Sequence, residues 1–290
     1  MSRSIAGKIK INSFADIVGG DDTAITEVPL ADLHEFKDHP FRVLDDEKME
    51  ETVESIKQYG VLMPGIVRPR IEGGYEIIAG HRRKRACAIA GLETMPVIIK
   101  NYTDDEATVA MVDTNIQRED ILPSEKAKAY SMKYRAMKHQ GSKEGGLVLD
   151  QLGDAAGESG KTVQRYIWLS RLSDALLDHV DNKRLSICCG VDISFLQEKE
   201  QKWVEEFIRE KHINLTTAQS GKLKEYSQKK ELTKGMMEVI LSDEKPKPRK
   251  FVMKGDKLSG YFPEGTTDEE IERTIISLLD SWMKTKDSGE

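Results

Sequence analysis

The apolar run Tyr75-Glu76-Ile77-Ile78-Ala79 has strand length and ends directly in Gly80-His81-Arg82-Arg83-Lys84-Arg85. Glycine is the residue that lets a strand stop and a helix start within one step, so this junction commits the region to an α/β block. Four consecutive cations then stand at the beginning of the helix. Backbone N–H groups, the positive end of the helix dipole and guanidinium forks all converge there on one anion, best taken as a phosphate. The alternative is a solvated basic helix face.

A chain of 290 residues can bury a substantial core, but 38% hydrophobic and 32% charged residues read as two or three small domains. No run approaches the roughly 20 apolar residues needed to span a bilayer, and residues 1–20 lack the apolar centre of a signal peptide. A cytoplasmic location, associated with a bacterial nucleoid or plasmid and away from membranes, is therefore expected. Cys87, Cys188 and Cys189 show no paired metal-ligand spacing, and the adjacent pair is expected to be small buried residues of a helix. The net charge of −6 disfavours nucleic acid only if charge is spread evenly. It is patchy: Lys161, Arg165 and Arg171 stand in a stretch without acids, while acids gather at 45–54 and 268–272.

The organisation expected is α+β. Residues 1–20 form a flexible polar leader. In the block 21–118, Asp45-Asp46 can cap a helix with Met49, Val53, Ile56 and Tyr59 at helical spacing, ended by Gly60. Val61–Arg70 then reads as a strand, Gly73-Gly74 as a hairpin turn and Tyr75–Ala79 as the return, followed by a helix from Arg82 to Ala90 and a strand from Met95 to Lys100. Residues 119–241 are helical, with Pro123 in a first turn and Ala127, Tyr130, Tyr134 and Met137 on one stripe, broken at 141–146. Residues 242–250, with two prolines and many charges, form a linker to a small module at 251–290.

Residues 150–172 have the form of a helix-turn-helix. Ala155, Ala156 and Gly157 let two helices approach, Ser159 can cap the second, and Val163, Tyr166 and Ile167 anchor it. Lys161, Thr162, Gln164 and Arg165 are then expected to face outward, with Arg171 just beyond. Gln and Arg pair bidentately with adenine and guanine edges, so this face suits the major groove of double-stranded DNA. An ordinary helical hairpin with a polar exterior is the alternative.

A third motif, Asp113-Thr114-Asn115-Ile116-Gln117-Arg118, gains weight from its company. The order of the basic box, this segment and the helix-turn-helix resembles the ParB partition-protein family, over about residues 26–175 and more loosely to the end. The resemblance implies a ParB/sulfiredoxin-like N-terminal domain, and a plasmid or mobile-element member is expected. It also implies that the strand Val61–Arg68, the box Gly80–Ala86 and the segment Thr114–Arg118 build a CTP pocket. Its residues would be Arg68, Gly80, His81, Arg82, Arg83, Thr114, Asn115 and Arg118. Closure of that pocket would turn a dimer into a clamp on DNA loaded at a palindromic, centromere-like site. Residues 1–20 would stimulate a partner ATPase of the ParA type.

Three departures concern the metal. The family commonly has glutamine at Met63 and glutamate at His81 and Thr114, and carboxylates would hold magnesium, a hard cation preferring oxygen. Phosphate binding through Arg82, Arg83, Gly80 and Asn115, the last also able to meet CTP-bound magnesium, is expected to outlive hydrolysis. At most a weak CTPase is expected. In the last module, Lys250–Lys254 reads as a strand and Thr267 as a helix start. Ile271, Ile275, Leu278, Leu279 and Trp282 form an apolar face that a small module cannot bury alone, so homodimerisation is expected, with docking onto its own chain as the alternative. Two other functions share these features: a transcriptional regulator using the same helix-turn-helix, and a nuclease- or kinase-like enzyme. Sulfiredoxin chemistry would need a cysteine where His81 stands.

Overall fold

A computed structural model of the chain describes residues 24–118, 120–140, 145–154, 156–242, 260–263 and 265–287, with the side chains of 145–147, 280 and 282–287 outside that description. The chain divides into two units on either side of the Asp243–Glu244 bond. The expected leader at 1–20, most of the linker at 242–250 and the strand Lys250–Lys254 lie outside the described residues.

The first unit begins with β1 (Ile25–Pro29), a 3-10 turn, β2 (Leu33–His34), α1 (Glu47–Tyr59), β3 (Gly65–Pro69), β4 (Tyr75–Ala79), α2 (His81–Ile89) and β5 (Thr94–Ile99). The strands form one sheet in the order β1-β5-β3-β4-β2. Pairs β1/β5 and β3/β4 are antiparallel, while β3/β5 and β2/β4 are parallel. Alternation along the strands sends Val67 and Ile77 to one face, where they pack with Met49, Val53 and Ile56 of α1 and Ala86 and Cys87 of α2. Ile66 and Ile78 go to the other. Gly73 and Gly74, at φ 92° and 70°, make the hairpin turn that sequence predicts.

The ends of α1 are also as predicted: the Asp46 carboxylate accepts from the Met49 N–H at 2.9 Å, and Gly60 stops the helix at φ 73°. Tyr59 is an exception to the predicted apolar stripe, because the end of the helix leaves it exposed. The strand expected over Val61–Arg70 is shorter. Its ladder starts at Gly65, since Pro64 has no N–H to give, and the carbonyls of Met63 and Pro64 accept from Arg83 instead.

The helices α3 (Asp104–Asp113), α4 (Pro123–His139), α5 (Gly145–Asp154), α6 (Gly160–Leu169), α7 (Asp174–Asp181), α8 (Ile187–Ile193), α9 (Glu198–Lys211), α10 (Thr217–Gln228) and α11 (Lys234–Ser242) complete the unit. One core continues across the junction at 118/119. Phe36, Phe41, Ile66 and Ile78 from the sheet side share it with Ala110 and Met111 of α3, Tyr130 of α4 and Val163 and Ile167 of α6. A second core gathers α7 to α11. In α8, Cys189 is buried but Cys188 is exposed, correcting the expectation that both are buried: adjacent helical residues point about 100° apart and cannot share one face.

The second unit contains α12 (Asp268–Asp287). Thr267 opens it as predicted, its hydroxyl accepting from the Glu270 N–H at 3.4 Å while the Glu270 carboxylate accepts from the Thr267 N–H at 3.2 Å. Ile271 and Ile275 are half-buried, and Ile276, Leu278 and Leu279 are exposed. The side chain of Trp282 lies outside the description.

Candidate functional site: an arginine-lined cleft and a helix-turn-helix

Gly80 sits at the end of β4 with φ 118°, in the left-handed region, and a Cβ there would lie 3.2 Å from the Gly65 Cα. That turn lets α2 begin at once. No side chain caps α2 and no acid stands in its first turn, so the N–H groups at its start are open to an anion. Around them is a cleft of about 220 Å³ lined by His39, Val43, Met63, Ala79, Gly80, His81, Arg82, Arg83, Thr114, Asn115 and Arg118. Seven of the eight residues expected to bind nucleotide are therefore together: the two boxes, far apart in sequence, meet.

Arg68 is not among them. In the β3/β4 register it stands opposite Glu76, whose carboxylate accepts from its Nε at 2.6 Å, and Asp104 accepts from Nη1 at 2.6 Å. Both carboxylates hold the guanidinium, and a turn at Gly73-Gly74 does not by itself give this register, because the ladder closes at Pro69 and Tyr75 with residues 70–74 between them.

The cations of the box are committed in different ways. Arg82 donates to Asp46 at 2.9 Å, Lys84 to the Leu33 carbonyl at 2.6 Å, and Arg85 to both oxygens of Asp45. These arginines hold the carboxyls of Asp45 and Asp46 below the usual carboxylate range. Arg83 differs. It donates only to the carbonyls of Met63 and Pro64, it forms no ion pair among the described residues, and burial pushes its pKa down. A desolvated guanidinium with neutral partners is an uncompensated charge, which an arriving anion relieves.

On the other wall, Thr114 Oγ donates to the carbonyls of Ala110 and Met111, and Asn115 Nδ2 donates to Met111 at 2.8 Å. Thr114 is thereby spent on the helix end. Asn115 keeps its carbonyl oxygen as an acceptor. The lining contains no carboxylate, and no group of three or more His, Cys, Asp or Glu is placed to hold a metal among the described residues. Residues with this donor set do not fit a protein-held magnesium ion, which needs several oxygen ligands.

His39 and Val43 are lining residues that sequence reasoning missed. They lie in the segment between β2 and α1, where His39 Nδ1 stands 2.8 Å from the Phe41 carbonyl oxygen. Cys87 lies within α2, buried, with its thiol pushed up by burial, so the cleft offers no thiolate nucleophile.

The helix-turn-helix consists of α5 and α6. Its closeness is set by glycine: a Cβ on Gly153 would stand 2.0 Å from the Glu158 carbonyl oxygen, and one on Gly160 2.3 Å from Asp150 Oδ1. Ser159 caps α6 as predicted, accepting from the Thr162 N–H at 3.2 Å. Val163 and Ile167 are buried. Glu158, which sequence gave no reason to single out, pins the turn to α4 by accepting from Lys126 Nζ at 2.6 Å and from the Tyr130 hydroxyl at 2.9 Å. Ser159, Lys161, Arg165 and Arg171 are exposed; Thr162 and Gln164 are only half-exposed. Lys161 and Arg165 form no ion pair among the described residues. Ala155 lies outside them.

The sheet with its basic, glycine-opened helix start thus shares one core with the helix-turn-helix in an α+β unit. The family description "ParB N-terminal domain" matches residues 16–116. A probable chromosome 1-partitioning protein ParB of Deinococcus radiodurans is 32% identical over 203 residues, covering 70% of this chain and 67% of that protein. The chromosome-partitioning protein Spo0J of Thermus thermophilus is 29% identical over 196 residues, covering 68% and 69%. A nucleoid occlusion protein of Halalkalibacterium halodurans is 31% identical over 199 residues, covering 68% and 66%. Among solved structures, the C-terminally truncated ParB of Caulobacter crescentus complexed to the centromeric parS site is 23% identical, with a TM-score of 0.41, over 70% of this chain and 99% of that one. This chain belongs to the ParB family. No helix among the described residues is long and apolar enough to cross a membrane.

Proposed function

We propose that the protein binds a specific DNA site for DNA partition or segregation, and that a nucleotide triphosphate, CTP in the family's pattern, gates its closure on DNA. The observation that carries this reading is the convergence of Gly80, His81, Arg82, Arg83, Thr114, Asn115 and Arg118 on one cleft, in a unit whose core also anchors the recognition helix α6. Arg83 is the principal phosphate ligand, because among the arginines of the basic box it is the one that burial desolvates with no carboxylate partner. Arg165 and Gln164 read bases, while Lys161 and Arg171 meet phosphates. The relatives' names, which include both partition and nucleoid occlusion proteins, agree with binding to chromosomal sites.

Homodimerisation through α12 is part of the same reading, since a palindromic site needs two recognition helices and the face of Leu278 and Leu279 is exposed. Stimulation of a ParA-type ATPase is assigned to residues 1–20. Selection from a random DNA pool with purified protein tests the reading: an enriched palindrome, bound differently with and without CTP, is expected. Enrichment of no sequence would overturn the DNA half. Calorimetry with no heat for CTP, with or without the selected DNA, would overturn the nucleotide half.

A further inference from the structure

Asp113 is the last residue of α3, directly before the cleft residues Thr114 and Asn115, and its carboxylate accepts from Lys133 Nζ on α4. The side chains of Lys133 and Asp113 are only 7% and 11% exposed, and their neighbours Met111, Val112, Ala129 and Tyr130 belong to the apolar core. A buried pair of this kind adds little net stability, because desolvation of both charges offsets their attraction. What it supplies is position. Drawing the end of α3 away from α4 would leave two uncompensated charges in the core, so the contact is either made or broken.

That position matters because of what lies at each end of the contact. On the cleft side, residues 114–116 are tied to the end of α3: Thr114 N–H donates to the Ala110 carbonyl, Ile116 N–H to Val112 and Asn115 Nδ2 to Met111. They move with Asp113. On the other side, Lys133 shares one stripe of α4 with Tyr130 and Lys126, since residues three and four apart stand on the same helix face. Tyr130 and Lys126 both donate to Glu158, the residue before the Ser159 cap of α6. One face of α4 thus joins a wall of the cleft to the turn of the helix-turn-helix. The Lys128–Asp174 pair lies on another face of α4 and is exposed, without such a position.

We propose that Asp113 and Lys133 are positioning residues that couple the cleft to the helix-turn-helix. An occupant that shifts Thr114 and Asn115 carries α4 with them, and through Glu158 the start of α6. Nucleotide then changes DNA affinity, and DNA changes nucleotide affinity by the same factor. The pair itself touches neither ligand.

The inference rests on the reading of the cleft as a nucleotide site, and the test separates the two. Full-length protein is titrated with the selected DNA with and without CTP, and with CTP with and without that DNA. Amide hydrogen exchange at 156–163 and at 80–85 is followed on adding CTP. In the unmodified protein the two coupling factors are expected to agree and to differ from 1 by about fivefold or more. Asp113→Leu/Lys133→Met removes both charges and leaves apolar side chains, an exchange that cores tolerate. It should bring the factor to within about twofold of 1, while each ligand alone binds within about twofold of its affinity for the unmodified protein. The exchange response at 156–163 should vanish and that at 80–85 remain. Lys128→Ala should keep both coupling and response. If the apolar variant does not fold, Asp113→Asn/Lys133→Gln takes its place. Coupling or a response at 156–163 retained by a folded double variant overturns the inference, as does a factor of 1 in unmodified protein that binds both ligands; the nucleotide reading then stands. CTP affinity lost equally with and without DNA makes the pair a support of the cleft wall alone and also overturns the inference. No binding of CTP by the unmodified protein, with or without DNA, overturns the nucleotide reading and the inference together.

Discussion

The cleft and the recognition helix both present arginines, but under opposite electrostatic conditions. In the box at Gly80, Arg82 and Arg85 are already paired with Asp46 and Asp45, and Arg83 is desolvated among backbone carbonyls. An anion that drew in Arg82 or Arg85 would compete with the carboxylates of Asp46 and Asp45, whereas one held by Arg83 would not. On α6, Arg165 and Lys161 are exposed and make no ion pair among the described residues. In the proposed function DNA would meet them without displacing protein carboxylates. The first arrangement suits a switch and the second a docking surface, whose strength is additive and salt-dependent.

The largest effect expected from one methyl group is in the helix-turn-helix. Gly153→Ala sets a Cβ 2.0 Å from the Glu158 carbonyl oxygen, and neither backbone can yield without opening the turn. A loss of about 3 kcal/mol of stability is expected in urea unfolding, with loss of DNA binding. Gly157→Ala, at φ 67° but with nothing within 4 Å, should cost only about 1–2 kcal/mol for its left-handed backbone. Equal losses would mean that close approach of α5 to the turn is not what holds the recognition helix.

Arg83→Ala and Arg165→Ala set the two regions against each other directly. The first should cost roughly 3 kcal/mol of CTP affinity, since a charge-assisted and desolvated contact is removed, and leave nucleotide-free DNA binding unchanged. The second should cost about 1–3 kcal/mol on the selected DNA site, much less on scrambled DNA, and nothing in CTP titrations. Arg165→Ala losing equally on both DNAs would demote it to a phosphate contact. Loss of both ligands in either variant would erase the distinction between switch and surface.

These contrasts mark how far the sequence could be read. Local rules were enough for the Asp46 cap, the Gly73-Gly74 turn, the Gly80 junction and the Ser159 cap, because each depends on neighbours within a few residues. The edge strand β1 was not legible, since Val28 is its single buried side chain and Thr26 and Glu27 give it no apolar pattern. Nor was His39, which the fold alone brings to His81. Arg68 is the converse case: in sequence it resembles a pocket cation, and the structure holds it between Glu76 and Asp104, away from the cleft lining. Half-burial of Gln164 was likewise invisible, because a helical wheel does not say how wide the packed face will be.

The cleft should also show in the pH dependence of stability, where the recognition face should not. His81 has a folded pKa of about 3 against an ordinary 6.5. Below pH 6.5 the unfolded chain takes up a proton that the folded chain refuses, so stability is intact above that pH and falls as pH drops towards 3. At pH 5 the loss is roughly 2 kcal/mol. Urea unfolding at pH 7, 6 and 5 should show it, and His81→Gln should flatten the profile over that window. An unchanged slope in the variant would assign the effect to other groups.

The smallest effect expected is at Lys161, and it sharpens the account of the docking surface. Its side chain is exposed and forms no ion pair among the described residues, one turn from Arg165, so the contribution expected under the proposed function is counterion release at a DNA phosphate rather than base readout. Lys161→Ala should weaken selected and scrambled DNA alike, by well under about 1 kcal/mol at physiological salt, and lower the slope of log affinity against log salt by about 1. Titrations over a range of potassium chloride concentrations measure that slope without depending on absolute affinity. A slope equal to that of the unmodified protein would place Lys161 off the DNA. A loss confined to the selected site would make it a base contact, and the groove-facing surface of α6 would then start a turn earlier than Arg165 alone defines.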